Sequence, residues 1–306
     1  MNPLSSLTKS RAQFFAVFAL FILGFVFAQS ASAQLNINVA FKRSLYLKNE
    51  PIIATVTIEN QTGRELYLAD SNGKPWFGFQ IASTEGRLVP PRDPNYALPP
   101  VQIGPGQTLT RQWNITPLYA ISEYGAYRIQ AHVLMGDTSN YVSSLPKVIN
   151  ITEGRLLWQQ TAGVPNDQEG AGSKRVISLI SLRLSRSTVL YLRVEDPMAG
   201  ITYATHRLGN FVSFGIPNVQ LDSHNYIHVL QNTSPKVFLY TKVDLNGKIL
   251  ERKVYEEAKN PPSLQKQGDN IAVVGGTLQV APAEEKPGVP TQKTHSLSER
   301  PALPKD

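Results

Sequence analysis

The chain has 306 residues, a formal charge of +7, 42% apolar residues and no cysteine. Without a thiol it can form no disulfide, no cysteine-ligated metal site, no thiol nucleophile and no lipid-modified N-terminal cysteine. Its apolar content is that of ordinary globular domains, so hydrophobic burial must supply the stability that disulfides give many exported proteins.

Residues 1–33 read as a secretory signal. Lys9 and Arg11 precede an apolar run over residues 14–27, and Ala31 and Ala33 place small side chains at the two positions that signal peptidase reads. The mature chain is therefore expected to begin at Gln34. The apolar run falls short of the about 20 residues that span a bilayer. No transmembrane segment is expected in the mature chain, and the protein is expected to be secreted or periplasmic. Loss of Lys9 and Arg11 lowers the formal charge from +7 to +5. On an exported protein this excess points to an anionic envelope surface or glycan and not to nucleic acid. Total absence of cysteine fits a bacterial exported protein. The sequons at Asn60, Asn114, Asn150 and Asn232 would then be chance matches.

Residues 34–154 form a first domain of short strands. Leu35, Ile37 and Val39 alternate with polar residues, and residues 53–58 are rich in β-branched side chains. Further strands are expected at 76–81, 109–115, 127–134 and 141–151. Turn clusters at 60–63, 70–73 and 104–106 separate them. Six or seven strands in about 120 residues indicate a β-sandwich.

The segment Glu123-Tyr124-Gly125-Ala126-Tyr127-Arg128-Ile129 is similar to the acidic-x-Gly-x-Tyr-x-Cys stretch of immunoglobulin domains. Tyr127 takes the place of the tyrosine corner and Ile129 that of the disulfide cysteine, with Trp76 as the core tryptophan. Tyr46-Leu47-Lys48-Asn49-Glu50-Pro51 resembles the opening of bacterial extracellular immunoglobulin-like modules. The resemblance covers this domain and implies a sandwich. It implies no activity.

Residues 155–276 form a second β-rich domain of hairpins, a small sheet or sandwich. Leu190, Leu192 and Val194 share one face of a strand. The run 190–196 is echoed at 239–244, and each copy turns at a glycine, Gly200 or Gly247, into another strand. The stretch 219–254 resembles a β-propeller blade, but the domain is too short for a propeller. The polar segment 161–172 is expected to be an exposed loop. Residues 277–306 are rich in Pro, Glu, Lys and Ser, lack aromatics, and are expected to form a disordered tail.

Catalytic patterns are sparse. His224 and His228 have the i, i+4 spacing of a helical zinc pair, but they sit where a turn enters a strand, so no metal or other cofactor is assigned. No Gly-x-Ser-x-Gly elbow occurs, and the Ser-x-x-Lys matches at Ser71, Ser144 and Ser263 lack helical settings. Asp244-Leu245-Asn246-Gly247 begins like a calcium loop, yet reads as a hairpin turn. The aromatics Trp76, Phe77, Phe79, Tyr96, Tyr119 and Tyr124 could line a binding surface. The proline-rich loop carrying Arg92 and Tyr96 is the favoured contact surface, because rigid turns present side chains with little entropy loss. The expectation is an exported, non-enzymatic binding or assembly protein of the envelope or extracellular space, with an envelope protein or glycan as partner. The competing expectation is an extracellular hydrolase, or an accessory to one, with Glu195, Asp196 and Asp222 as candidate acids.

Overall fold

In the computed structural model, which describes residues 35–94, 96–136, 140–166, 168, 170–212 and 216–279, the alternating segments are strands. The architecture is all-β, with no helix among the described residues. They fall into two compact units, the first ending at Glu153 and the second beginning at Gly154. Ala31, Ala33 and Gln34 lie outside the described residues, as does the chain from residue 280 onward. No described helix is long and apolar enough to cross a membrane.

The first unit contains β1 (Leu35–Phe41), β2 (Leu45–Leu47), β3 (Ile53–Asn60), β4 (Leu66–Leu68), β5 (Phe77–Ser83), β6 (Leu88–Val89), β7 (Val101–Ile103), β8 (Thr108–Asn114), β9 (Gly125–Met135), β10 (Asn140–Ser143) and β11 (Lys147–Thr152). One sheet has the order β1-β3-β8, the other β2-β11-β9-β5-β6 with β10 also paired to β9, and β4 and β7 form a separate ribbon. All pairs are antiparallel except β2 with β11. The consecutive strands β1 and β2 thus belong to different sheets, and the two sheets share one core. Val39, Val56 and Ile58 from one sheet and Ile81, Ile129 and Ile149 from the other belong to one buried core. Each such side chain contributes about 1.5–3 kcal/mol on burial. The Tyr127 hydroxyl donates to the Glu123 carbonyl at 2.9 Å, which is the tyrosine-corner bond, and Ile129 is fully buried.

Local polar contacts fix this unit's turns. Glu50 is buried, pairs with Arg43 and accepts the Leu47 N–H at 3.0 Å. Asn60 is fully buried; its amide donates to the carbonyls of Arg64 and Ile103, and its oxygen accepts the Thr62 N–H. The strand expected over 141–151 is two strands. Pro146 offers no N–H to a ladder, and the Ser144 hydroxyl turns inward to accept the Ala131 N–H at 3.0 Å.

The second unit contains β12 (Arg155–Gly163), β13 (Lys174–Arg183), β14 (Thr188–Asp196), β15 (Ile201–Phe211), β16 (Asn218–Leu221), β17 (Ile227–Ser234), β18 (Val237–Val243), β19 (Ile249–Glu256), β20 (Ser263–Gln267), β21 (Asn270–Val274) and β22 (Thr277–Gln279). The sheets are β12-β13-β14-β15 and β16-β17-β18-β19-β22, beside the hairpin β20-β21. Ile177, Leu190 and Leu192 of the first pack in one core with Ile227, Val229 and Val243 of the second. Leu230 and Tyr240 pack with Leu264 and Ile271 of the hairpin.

The blade-like stretch is a real four-stranded meander, β16 to β19. It gains β22 as a fifth strand and packs against another sheet instead of repeating. Gly247 has φ +82°, and a Cβ there would overlap Ala204 on β15. Two boundaries differ from the sequence reading. Residues 161–163 of the expected loop belong to β12. Residues 277–279, grouped with the tail by composition, pair with β19 through Tyr255↔Leu278.

Candidate binding pocket

A cavity of the first unit lies along one edge of β5. The Leu134 N–H donates to the Trp76 carbonyl at 2.7 Å, so Trp76, Gly78 and Gln80 turn their backbone groups toward β9. Phe77 and Phe79 turn theirs the other way. β6 pairs only with Ile81 and Ala82, so no described strand covers Phe77 and Phe79 on that side. The Tyr119 hydroxyl takes this place and accepts the Phe79 N–H at 2.8 Å. Tyr119 is held there by a turn in which the Ile115 carbonyl accepts the N–H groups of Leu118 and Tyr119.

Residues 90–94 and 96–98 arch over this edge and are tied down at both ends. The Arg92 N–H donates to the Leu118 carbonyl at 2.8 Å, and the Trp76 indole donates to the Leu98 carbonyl at 3.3 Å. Beneath the arch is a cavity of about 280 Å3. Its floor is aromatic. Phe77 and Trp113 stack with centroids 4.3 Å apart, and Phe79 meets Trp113 at 6.2 Å and Tyr119 at 6.1 Å edge to face. Such contacts fix ring positions and stabilise the floor by about 0.5–1.5 kcal/mol each. Prolines 75, 91, 94 and 117 wall it, and Arg92, Asp93, Tyr96 and His132 supply the polar lining. Gly78 permits the approach of His132, since a Cβ there would lie 2.9 Å from Nε2. Burial lowers the His132 pKa, so the ring is neutral at neutral pH. Burial raises the Tyr119 pKa, against the smaller opposing effect of the Phe79 bond, so the phenol keeps its proton.

Arg92 and Tyr96, chosen from sequence for the rigidity of their loop, both line this cavity. Phe77, Phe79 and Tyr119 join them from the aromatic set. Trp76 is instead core, and Tyr124 is exposed under the Lys48 ammonium. Trp113 and His132 escaped the sequence reading as pocket residues. The only signal was their strand position, and it carried no hint that β8 and β9 meet one loop.

In the second unit two of the candidate acids, Asp222 and Asp196, are held in structural contacts. Asp222 Oδ2 lies 3.0 Å from His228 Nε2, and His228 Nδ1 lies 2.8 Å from the Tyr240 hydroxyl, all three residues being buried. Asp222 Oδ1 accepts the N–H groups of His224 and Tyr226, and Lys242 Nζ stands 3.7 Å from Oδ2. Burial alone would raise the Asp222 pKa, but the bonds from His228, Tyr226 and His224 outweigh it and hold the carboxyl low. For His228 burial dominates and lowers the pKa, against the raising effect of Asp222.

Asp196 pairs with buried Arg175 at 3.2 Å and caps the N–H groups of Met198 and Ala199. Glu195 is one strand residue away and faces the opposite side. No hydrogen bond or ion pair joins Asp222 to Glu195 or Asp196. His224 diverges from His228 and stacks on Tyr226. Among the described residues no cluster of three or more His, Asp or Glu side chains is placed to hold a metal. Asp244 caps a hairpin turn by accepting the Asn246 and Lys248 N–H groups.

No known protein family matches the chain, and no curated protein matches it. Among solved structures, the crystal structure of Spo0M, a sporulation control protein from Bacillus subtilis, is similar over 55% of this chain and 82% of that one. The identity is 11% and the TM-score 0.27, too low for the likeness to bear on fold or function.

Proposed function

We propose that this protein is an exported, non-catalytic binding protein of the bacterial immunoglobulin-like kind, and that its first unit holds a ligand under the arch carrying Arg92 and Tyr96. The observation that carries the reading is the preformed cavity of about 280 Å3, with an aromatic floor, proline walls and few polar groups. Ligand sites are concave and mainly apolar, with a small number of orienting polar groups. The immunoglobulin-like reading is supported by the Tyr127–Glu123 bond and the parallel pairing of β2 with β11. Export rests on the charge, apolar run and small residues of the first 33 positions. The partner belongs to the envelope or extracellular space, with the surplus positive charge favouring an anionic one.

The test uses the mature chain and an environment-sensitive apolar dye, followed by panels of envelope glycans and peptides. Saturable dye binding that falls about tenfold or more in Tyr96→Ala, the scale of one lost aromatic contact, is expected. No product should be released from either panel. Dye binding unchanged by Tyr96→Ala, or turnover of a glycan or peptide, would contradict the proposal.

A further inference from the structure

We infer that the hairpin β20–β21 is an acid-released strap, latched onto the second unit by the buried Asp222–His228–Tyr240 hydrogen-bond chain. The device lies in the second unit and is independent of the pocket in the first.

β17 is apolar on both faces. Ile227 and Val229 join the core between the two sheets, whereas Leu230 clusters with Phe238, Tyr240, Leu264 and Ile271, the last two from the hairpin. His228 stands two residues before Leu230, so it shares the face that the hairpin covers, and it is buried. Hydrogen bonds fasten the hairpin on either side of this histidine. Gln220, opposite His228 on β16, donates through Nε2 to the Leu264 carbonyl at 3.2 Å. Ser223, next to Asp222, donates its N–H and its hydroxyl to the Asp269 carbonyl at 3.2 and 2.9 Å. The apolar cluster under the hairpin is smaller than the core between the sheets, so the hairpin opens at a lower free energy than the sheets part.

The chain beneath the hairpin has one order of protons while His228 is neutral. The Asp222 carboxylate can only accept, so His228 Nε2, 3.0 Å from it, carries the ring proton. Nδ1 is then the acceptor for the Tyr240 hydroxyl at 2.8 Å. A second ring proton, on Nδ1, turns Tyr240 from donor into acceptor. Its own proton then needs a new acceptor, and the side chains of Leu230, Phe238, Leu264 and Ile271 offer none. Burial raises the Tyr240 pKa, so the phenol does not release that proton. Acid thus works against the residue on which the hairpin rests.

The titratable groups around His228 are Asp222 from the turn, Tyr240 and Lys242 from β18, and Glu251, Lys253 and Tyr255 from β19. The hairpin brings Lys266, which is exposed, and Asp269, and the turn also carries exposed His224. Of these, only the histidines have an ordinary pKa between about pH 5 and 8. Burial holds His228 neutral in the closed state, against the raising effect of Asp222. An open state, with the ring in water, takes up the proton and gains population as pH falls below about 6.5.

Hydrogen exchange of the mature chain, read by mass spectrometry across the histidine range and corrected for the intrinsic pH dependence of exchange, measures the opening. Peptides carrying Leu264 and Ile271 should lose protection by up to about tenfold per pH unit below about 6.5, while peptides carrying Leu190 and Leu192 in β14 keep theirs. His228→Gln, which does not titrate, should make hairpin protection independent of pH, whereas His224→Gln should leave the slope unchanged. Ser223→Ala, on the exposed turn, should lower hairpin protection severalfold at every pH and keep the slope. Hairpin protection that ignores pH, or that falls together with β14, would overturn the inference in the unmodified chain alone. A slope that survives His228→Gln or vanishes in His224→Gln would overturn it as well.

Discussion

The Tyr119 hydroxyl accepts the Phe79 N–H at the open edge of β5 at 2.8 Å, although the two residues are 40 positions apart in sequence. One contact thus satisfies one N–H of an open strand edge and positions a ring of the pocket floor. Tyr119→Phe keeps the ring and strands a buried N–H. It should lower stability by about 1–3 kcal/mol, read as a shift of the chemical-denaturation midpoint. An unchanged midpoint would show that the edge is satisfied by solvent.

Tyr127 tests the sandwich itself. Losing its bond to Glu123 in Tyr127→Phe should cost about 0.5–1.5 kcal/mol. Tyr127→Ala should cost about 3–5 kcal/mol through the added cavity. If neither substitution moves the melting temperature, the tyrosine corner does not stabilise the first unit.

Asn60 is the hub of the turn after β3, with its donors on the Arg64 and Ile103 carbonyls. Asn60→Ala leaves buried carbonyls unpaired and should destabilise by about 1–3 kcal/mol. Because its amide is buried and engaged, Asn60 should also remain unmodified when the chain is expressed in a glycosylating host. Mass spectrometry of the peptide carrying Asn60 checks this directly.

Acid should weaken the second unit through Asp222 and His228. Burial keeps the folded His228 pKa below its unfolded value of about 6.5, despite the Asp222 bond. Below that pH the unfolded chain takes up a proton that the folded chain refuses, so stability falls. Asp222 is held low in the fold, so its contribution is present above about 3.9 and disappears as pH drops through the folded value. Both effects have the same sign. Urea midpoints should decline from about pH 6.5 downward, and His228→Gln should flatten the upper part of that decline. His132, also lowered by burial, adds to the slope in the first unit. A midpoint that rises on acidification would contradict the buried neutral assignment.

The long strands were legible because Leu35, Ile37 and Val39, or Leu190, Leu192 and Val194, repeat every second residue against a core. β2, β4, β6 and β7 run for two or three residues, too few for alternation to show. β22 was hidden because its three exposed residues resemble the polar sequence that follows, and only pairing with β19 orders them. The proline spacing around Arg92 and Tyr96 marked a rigid loop, but the floor beneath it comes from β5, β8 and a turn at residues 115–121. Sequence also gave the turn around Asp222 without its tie to His228, because that bond depends on β17 facing its imidazole inward.

The central claim is a ligand seated in the cavity that Trp113 lines, and the most direct measurement is the indole N–H spectrum of the three tryptophans during titration with the environment-sensitive apolar dye. Trp76 already donates to the Leu98 carbonyl, and Trp158 belongs to the second unit. A saturable shift of the Trp113 signal is expected, with loss of the shift in Tyr96→Ala. A shift confined to Trp158, or saturation of binding with the Trp113 signal unmoved, would contradict it.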